Sequence, residues 1–275
     1  MKITHFERKT VCVPFRPGIL PPPEYDERSS SYPLPLDARG QDILYVHTDA
    51  GLTGIGMSGP YFGDPVPDAP PLGWLGREVL SFEPRQVGEA GYGMALLDLV
   101  GKAIGWPLYR IYGGREQNSV PVDYWIARMS AEDSATAARR ALDLGFHGIK
   151  MKCKWEDGNM ADRAFAIHEV APEMRIVLDP NERFYNVENT LALARQVQDL
   201  DIIFEDPMPK DESWQDYRRM KEEAGVLICP HLQNPSQVIA AVAARAVDGI
   251  NVCIFAYGQT GSERRPERQA ESAWQ

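Results

Sequence analysis

The segment from Gly148 to Pro209 contains three short apolar runs that each end in charged residues: GIKMKCKW (148–155), RIVLDPNERF (175–184) and DIIFEDPMP (201–209). Lys150 and Lys152 lie two residues apart, so on a β-strand their side chains point to the same face. Asp179 and Glu205 each close their own run. Parallel α/β folds build their active sites at the carboxyl ends of strands. The sequence therefore predicts one site that contains all four charged groups.

Alternating strands and helices surround this segment. Their spacing of about 25 residues between strand ends matches the βα unit of a (β/α)₈ barrel. A doubly wound sheet shares the alternation, but no glycine-rich phosphate loop follows any run. Six units precede the charged tail at 261–275, so we expect a TIM-type barrel truncated to about six units. The predicted strands are Val120–Ala127, Gly148–Cys153, Arg175–Asp179, Ile202–Glu205, Val226–Cys229 and Gly249–Ile254.

The first part of the chain has a different pattern. Asp42–Gly56 alternates on both sides of a turn at Asp49-Ala50-Gly51, which predicts a β-hairpin. Gln86–Arg110 carries apolar residues at helical spacing. We therefore expect an α+β domain over residues 1–115, followed by the barrel domain over residues 116–275.

Composition limits the class of function. The chain has 275 residues and a formal charge of −10, which argues against nucleic acid or an anionic membrane as a partner. The four cysteines lie far apart and lack metal-ligand spacing. No apolar leader or membrane-span-length run is visible. These features predict a reduced, cytoplasmic protein.

Several motifs, taken in order, resemble the enolase superfamily in its mandelate racemase and muconate lactonising enzyme group. They are VHTDAGLTGIG (46–56), MALLDLVGKAIGWPLYRIYGG (94–114), the Lys-x-Lys at Lys150 and Lys152, the Asp-x-Asn at Asp179 and Asn181, and the FEDP at Glu205. The resemblance extends from about Lys2 to Gly258. It implies a capping domain that serves as substrate lid, followed by a barrel that carries the chemistry.

The resemblance also implies roles for the charged residues. Members of this superfamily remove the proton α to a carboxylate and stabilise the resulting enediolate with a divalent cation. Lys152 would be the base, and Lys150 would assist it and help to bind the substrate carboxylate. Asp179 and Glu205 would hold Mg²⁺, with Mn²⁺ as the alternative, because both metals take oxygen ligands.

The chain also departs from the superfamily pattern. The third acid, expected at the end of the fifth strand, is replaced by Pro230 in LICPHLQNP (227–235). His231 is adjacent and is a possible additional site residue, although imidazole suits Mg²⁺ poorly. It could equally be an ordinary loop histidine. The sixth strand, GINVCIFAYG (249–258), offers no acid or lysine for chemistry.

Simpler roles remain open for the acidic residues. Asp179 and Glu205 could cap the helices that follow them, as acids in βα loops commonly do. Asp206 and Asn181 are possible additional site residues. Asp206 would orient a metal ligand or a lysine.

Two functions follow. The first is a metal-dependent lyase or isomerase, such as a sugar-acid dehydratase, a cycloisomerase or a racemase-like enzyme, acting on a small carboxylate. The second is a catalytically impaired remnant that serves as a binding or assembly protein. A six-unit barrel would leave parallel edges open, so we expect a homo-oligomer.

Overall fold

The computed structural model of the protein describes residues 1–12, 41–58, 70–82, 90–111, 113–114, 118–211, 214–232 and 235–252. These residues fall into two compact units that divide between Asn118 and Ser119. Two Gly- and Pro-containing loop segments of the expected capping domain, 17–40 and 57–74, would suit a substrate lid and its specificity contacts. They lie largely outside the described residues. The assignment of the first unit as a substrate cap stays a prediction.

The first unit is a three-stranded antiparallel sheet with helices. Its strands are β1 (Ile3–Val11), β2 (Gln41–Thr48) and β3 (Thr53–Ser58), in that order across the sheet. Two helices follow, α1 (Ala90–Ile104) and α2 (Leu108–Ile111), and short 3-10 turns lie at Leu72–Trp74 and Val79–Ser81. The predicted hairpin is confirmed.

Glycines in β3 allow helix α1 to approach the sheet closely. A Cβ atom at Gly54 would lie 1.9 Å from the Ala95 carbonyl oxygen, and one at Gly56 would lie 1.9 Å from the Gly91 carbonyl oxygen. Any side chain at either position would force the helix away from the strand. The two glycines in TGIG thus set how tightly the apolar residues of this unit pack. That core contains Ile3, Leu44, Val46, Val79, Tyr92, Ala95, Leu96, Leu99 and Val100.

The second unit alternates strands and helices, as predicted. Five parallel strands form one sheet in the order β4-β5-β6-β7-β8, and β9 pairs in parallel with β10. The strands are β4 (Tyr124–Ile126), β5 (Gly148–Lys152), β6 (Arg175–Asp179), β7 (Ile202–Phe204), β8 (Leu227–Ile228), β9 (His231–Leu232) and β10 (Asn251–Val252). The helices are α3 (Ala131–Asp143), α4 (Met160–Val170), α5 (Val187–Gln196), α6 (Gln215–Ala224) and α7 (Pro235–Ala243).

Local sequence explains where these helices begin. Ser130 caps α3, since its Oγ accepts a hydrogen bond from the backbone N of Asp133 at 3.1 Å. Asn186 caps α5 in the same way, with its Oδ1 2.9 Å from the backbone N of Asn189. Both capping residues satisfy a helical N–H that has no partner within the helix. None of the helices among the described residues has the length and apolar character needed to cross a membrane.

Most predicted strands differ from the structure by one or two end residues, and two differ by more. The first barrel strand is limited to Tyr124–Ile126, because Pro121 lacks an N–H and Val120 and Val122 are exposed. The fifth strand is divided into β8 and β9 by Pro230, which cannot donate to a ladder. This division places the backbone of β9 beside β10 instead of β7.

Candidate active site

The site lies at the carboxyl ends of β5, β6 and β7. In the register of the sheet, Lys152 lies opposite Asp179 and Lys150 lies opposite Val177. Glu205 follows β7 directly, and its backbone N donates to the Leu178 carbonyl at 2.8 Å. This register brings the charged ends of three neighbouring strands to one edge of the sheet.

Lys150 joins the two carboxylates. Its Nζ lies 2.7 Å from Glu205 Oε1 and 3.0 Å from Asp179 Oδ2. Asp179 is 1% exposed and Glu205 is 7% exposed, so both carboxylates are withdrawn from water. Because both oxygens contact one nitrogen, the two carboxylates converge on a common point.

Lys152 contacts the same carboxylate oxygen of Asp179 as Lys150 does. Its Nζ donates to Asp179 Oδ2 and, at 2.6 Å, to Asn181 Oδ1. The backbone N of Asn181 donates to Asp179 Oδ1 at 3.0 Å. The Asp-x-Asn motif therefore supplies two acceptors that fix the direction of the Lys152 amine.

Burial and neighbouring charges together determine the pKa values of Asp179 and Lys150. Burial raises the pKa of Asp179, but the ammonium groups of Lys152 and Lys150 lower it more, and the net pKa lies below the ordinary value. For Lys150, burial lowers the pKa, whereas the Asp179 and Glu205 carboxylates raise it above the ordinary value. Lys150 is thus held positive and Asp179 negative near neutral pH.

A second ion pair fixes the loops beneath the site. Lys210 Nζ lies 2.6 Å from Glu182 Oε1 and 2.8 Å from Asp206 Oδ1. Asp206 Oδ1 also accepts from the backbone N of His231 at 2.8 Å. The backbone N of Glu182 donates to the Asp206 carbonyl at 2.7 Å. Asp206 therefore joins the loops that follow β6, β7 and β8.

The same loops contain unusual backbone geometry. Asn181, Glu182, Tyr185 and Asp206 have φ angles of 50°, 68°, 69° and 43°. Residues other than glycine rarely adopt this left-handed backbone region, and those that do concentrate at functional sites. These residues lie in the loops that carry Asn181 and Asp206. The Asn181 side chain accepts from Lys152, and the Asp206 side chain accepts from the backbone N of His231.

A buried arginine fixes the backbone below Lys152. Arg163 of α4 is fully buried, and its guanidinium donates to the carbonyls of Lys152 and Ala127 at 2.8 Å each. Its Nε also donates to Ser134 Oγ at 3.0 Å. These contacts join the ends of β4 and β5 to helices α3 and α4.

The structure brings together most of the residues singled out from the sequence. Lys150, Lys152, Asp179, Asn181 and Glu205 form one connected cluster. Asp206 follows Glu205 directly in the chain, but its carboxylate contacts Lys210 and the backbone N of His231 rather than this cluster.

His231 enters the network through its backbone N, and its side chain is exposed. Among the described residues, no group of three or more His, Cys, Asp or Glu side chains is arranged to hold a metal ion. A divalent cation at Asp179 and Glu205 would therefore have to take its remaining ligands from other residue types, from water or from substrate.

Sequence reasoning missed several residues of the site. Asn251 donates its Nδ2–H to Glu205 Oε1 at 2.7 Å. A neutral amide within a strand carries no sequence signal of the kind that acids and lysines give. The sequence indicates one of the two contacts of Lys210, since Lys210 lies four residues after Asp206. Its contact with Glu182 has no such signal. Arg163 carries none, because its acceptors are carbonyls distant in sequence.

Comparison with known proteins relates the chain to a family. A family model described as "Enolase C-terminal domain-like" matches residues 133–264. An L-Lys-D/L-Arg epimerase from Methylococcus capsulatus is 30% identical over 258 residues, covering 84% of this chain and 71% of that protein. The chain belongs to the enolase superfamily. Within that superfamily, its relatives are of the mandelate racemase and muconate lactonizing type.

Other members of the superfamily extend the comparison. An N-succinyl-L-Arg/Lys racemase from Bacillus cereus is 26% identical over 188 residues, covering 67% of this chain but only 51% of that protein. The solved dipeptide epimerase from Methylococcus capsulatus, complexed with Mg and the dipeptide L-Arg-D-Lys, superposes with a TM-score of 0.71. It is 26% identical, and the match covers 94% of this chain and 77% of that one. The relatives are racemases, epimerases and dehydratases, so the superfamily member described here is related to enzymes.

Proposed function

We propose that this chain is a divalent-metal-dependent enzyme that removes the proton α to a carboxylate of a small substrate. One observation carries the proposal: an amine, Lys152, and two buried carboxylates, Asp179 and Glu205, meet at the carboxyl ends of adjacent parallel strands. This combination provides a proton acceptor beside groups suited to hold a cation, as abstraction of a carbon-bound proton requires.

Asp179 and Glu205 would hold Mg²⁺ or Mn²⁺. Their oxygens fit these metals, because Mg²⁺ is commonly bound by one or two carboxylates with water and substrate completing the coordination. The convergence of both carboxylates on Lys150 Nζ, within 3.0 Å, supports a shared cation position. When bound, the cation supplies positive charge that stabilises the negative charge developing on the substrate carboxylate.

The chain's own residues perform the remaining tasks. Lys152 accepts the α-proton when its amine is neutral, and the Asn181 amide oxygen directs that amine. Lys150 keeps its positive charge and attracts the substrate carboxylate. Arg163 holds the Lys152 carbonyl, which fixes the strand from which the base extends.

The relatives favour a substrate class. Those named above act, by their names, on lysine- or arginine-containing dipeptides and on N-succinyl amino acids, and another is a cis-3-hydroxy-L-proline dehydratase. We infer an α-amino carboxylate, free or acylated, ahead of the acid sugar expected from sequence. Deprotonation is common to isomerase and lyase outcomes, and racemisation would in addition need a second base on the opposite face of the substrate.

Exchange of the substrate α-proton with solvent deuterium tests the proposal. Wild-type protein with Mg²⁺ should exchange the α-proton of at least one member of a panel of dipeptides, N-acyl amino acids and acid sugars, observed by ¹H NMR. Lys152→Ala should lower the rate by more than about 100-fold, since a positioned base contributes about 10²–10⁴-fold. Lys154→Ala, which alters a neighbouring lysine outside the cluster, should exchange like wild type.

A non-enzymatic binding protein is the second candidate. Pro230 in place of an acidic residue, and two lysines already paired with the carboxylates, favour it. Calorimetric titration with Mg²⁺ separates the two functions. A wild-type protein that binds no divalent cation and exchanges no α-proton across the panel would support the binding protein and refute the enzyme.

A further inference from the structure

Asn251 is fixed beside the loop between β8 and β9. It begins β10, where it pairs in parallel with His231. Its backbone N donates to the Pro230 carbonyl at 3.0 Å. The backbone of Asn251 is therefore held next to the position that carries proline instead of a metal-binding side chain.

The side chain of Asn251 extends to the carboxylate cluster. Its Nδ2 donates to Glu205 Oε1 at 2.7 Å, and the same oxygen accepts from Lys150 Nζ at 2.7 Å. Lys150 Nζ in turn contacts Asp179 Oδ2. The carboxamide thus borders the point on which both carboxylates converge.

A carboxamide can serve as a donor or as a ligand from the same place. Its oxygen and its NH₂ group share one carbon, and a half-turn about the last side-chain bond exchanges them. The NH₂ group suits a carboxylate neighbour, as described for Glu205. The oxygen suits Mg²⁺ or Mn²⁺, which accept carbonyl oxygens alongside carboxylates.

We propose that Asn251 supplies a third protein oxygen to the divalent cation held by Asp179 and Glu205. This assignment rests on the proposed function. Pro230 offers no side-chain ligand, and the His231 side chain is exposed while its backbone contacts Asp206. A neutral amide oxygen also completes the ligand set without adding a third negative charge to the cluster.

Mn²⁺ titration of the full-length chain, followed by electron paramagnetic resonance, tests the assignment. Asn251→Ala should weaken Mn²⁺ binding by roughly 10-fold, at the lower end of changes typical for groups around a metal. It should also add one coordinated water, measured by water-proton relaxation. Asn251→Asp should bind Mn²⁺ at least as tightly as wild type, because a carboxylate can ligate the metal but cannot donate to Glu205.

Two further variants serve as controls, one that should lose Mn²⁺ binding and one that should keep it. Asp179→Asn should abolish tight binding, and His231→Ala, which removes the adjacent imidazole, should leave Mn²⁺ affinity unchanged. If Asn251→Ala does not fold, as judged by urea unfolding without metal, Asn251→Leu provides the same loss of ligand at similar size.

Several results would overturn the assignment. Equal losses in Asn251→Ala and Asn251→Asp would mean that the residue only donates to Glu205. Unchanged affinity in Asn251→Ala, or a loss in His231→Ala, would place the third ligand elsewhere while leaving the proposed function standing. A wild-type chain that binds no Mn²⁺ would overturn this assignment together with the metal dependence of the proposed function.

Discussion

Lys150 shows how charge is balanced within the cluster. Buried carboxylates are stable only when opposite charge or hydrogen-bond donors compensate them. Here two lysine ammonium groups compensate two carboxylates, and Lys150 contacts both of the acids. Its ammonium therefore performs, for the protein alone, the electrostatic task that a bound cation would share.

Lys150→Met should make stability depend more strongly on a divalent cation. We expect the free energy of unfolding to fall by about 2 kcal/mol without metal, because Asp179 and Glu205 lose a common partner. Mg²⁺ should restore more stability to this variant than to wild type, since a ligand that binds only the folded state stabilises it. Urea unfolding with and without Mg²⁺ measures both effects. Lys154→Met is the matched control, and equal Mg²⁺ responses in Lys150→Met and wild type would contradict the shared position.

The loops after β6 and β7 depend on a different lysine. Lys210 contacts Glu182 in one loop and Asp206 in the other, and both of these residues have left-handed backbone angles. An ion pair that spans two strained loops can offset the strain and keep their side chains aimed. The aim of Asn181, and through it of Lys152, depends on the first of these loops.

The contribution of Lys210 should disappear at alkaline pH. Burial lowers its pKa, but Asp206 and Glu182 raise it more, so the folded-state pKa exceeds the ordinary value of 10.5. A raised pKa means that the stabilisation is complete below the unfolded-state value and is lost as pH rises through the folded-state value. Lys210→Met should therefore cost about 2 kcal/mol near neutral pH, and the difference from wild type should shrink above about pH 10.5. Urea unfolding across this range measures it, and a difference independent of pH would show that the ion pair contributes nothing.

Strands and helices of the barrel were predictable because each repeats a local pattern. Arg175–Asp179 matches its predicted bounds, and the strand predicted at Gly148–Cys153 ends one residue earlier, at Lys152. The carboxyl-end rule then predicted that Lys150, Lys152, Asp179 and Glu205 would meet, because parallel register alone determines it. Contacts made by residues that do not lie at the carboxyl end of a predicted strand were not predictable. Asn251 in β10 donates to Glu205 after β7, and the local pattern around neither residue indicates this contact.

The net charge of the chain opposes self-association, whereas an exposed strand edge favours it. A formal charge of −10 favours separation of chains in solution. Within the part of the chain that the structure describes, β4 pairs only with β5, so its other edge offers unpaired backbone groups. Apolar side chains flank this edge, with Val120 72%, Val122 66% and Trp125 44% exposed. Open strand edges beside apolar side chains are typical sites of association.

Self-association through the β4 edge is the expected result of this balance. Sedimentation velocity of wild-type chain should show oligomers whose fraction rises with protein concentration and with salt, because salt screens the repulsion between like-charged chains. Trp125→Lys places a charge on the edge and should shift the distribution toward monomer. Ile239→Lys, which alters an exposed apolar residue of α7, is the control and should leave the distribution unchanged. A wild-type chain that sediments as a monomer at every concentration would refute the expectation, and a shift in the α7 variant alone would move the contact to that helix.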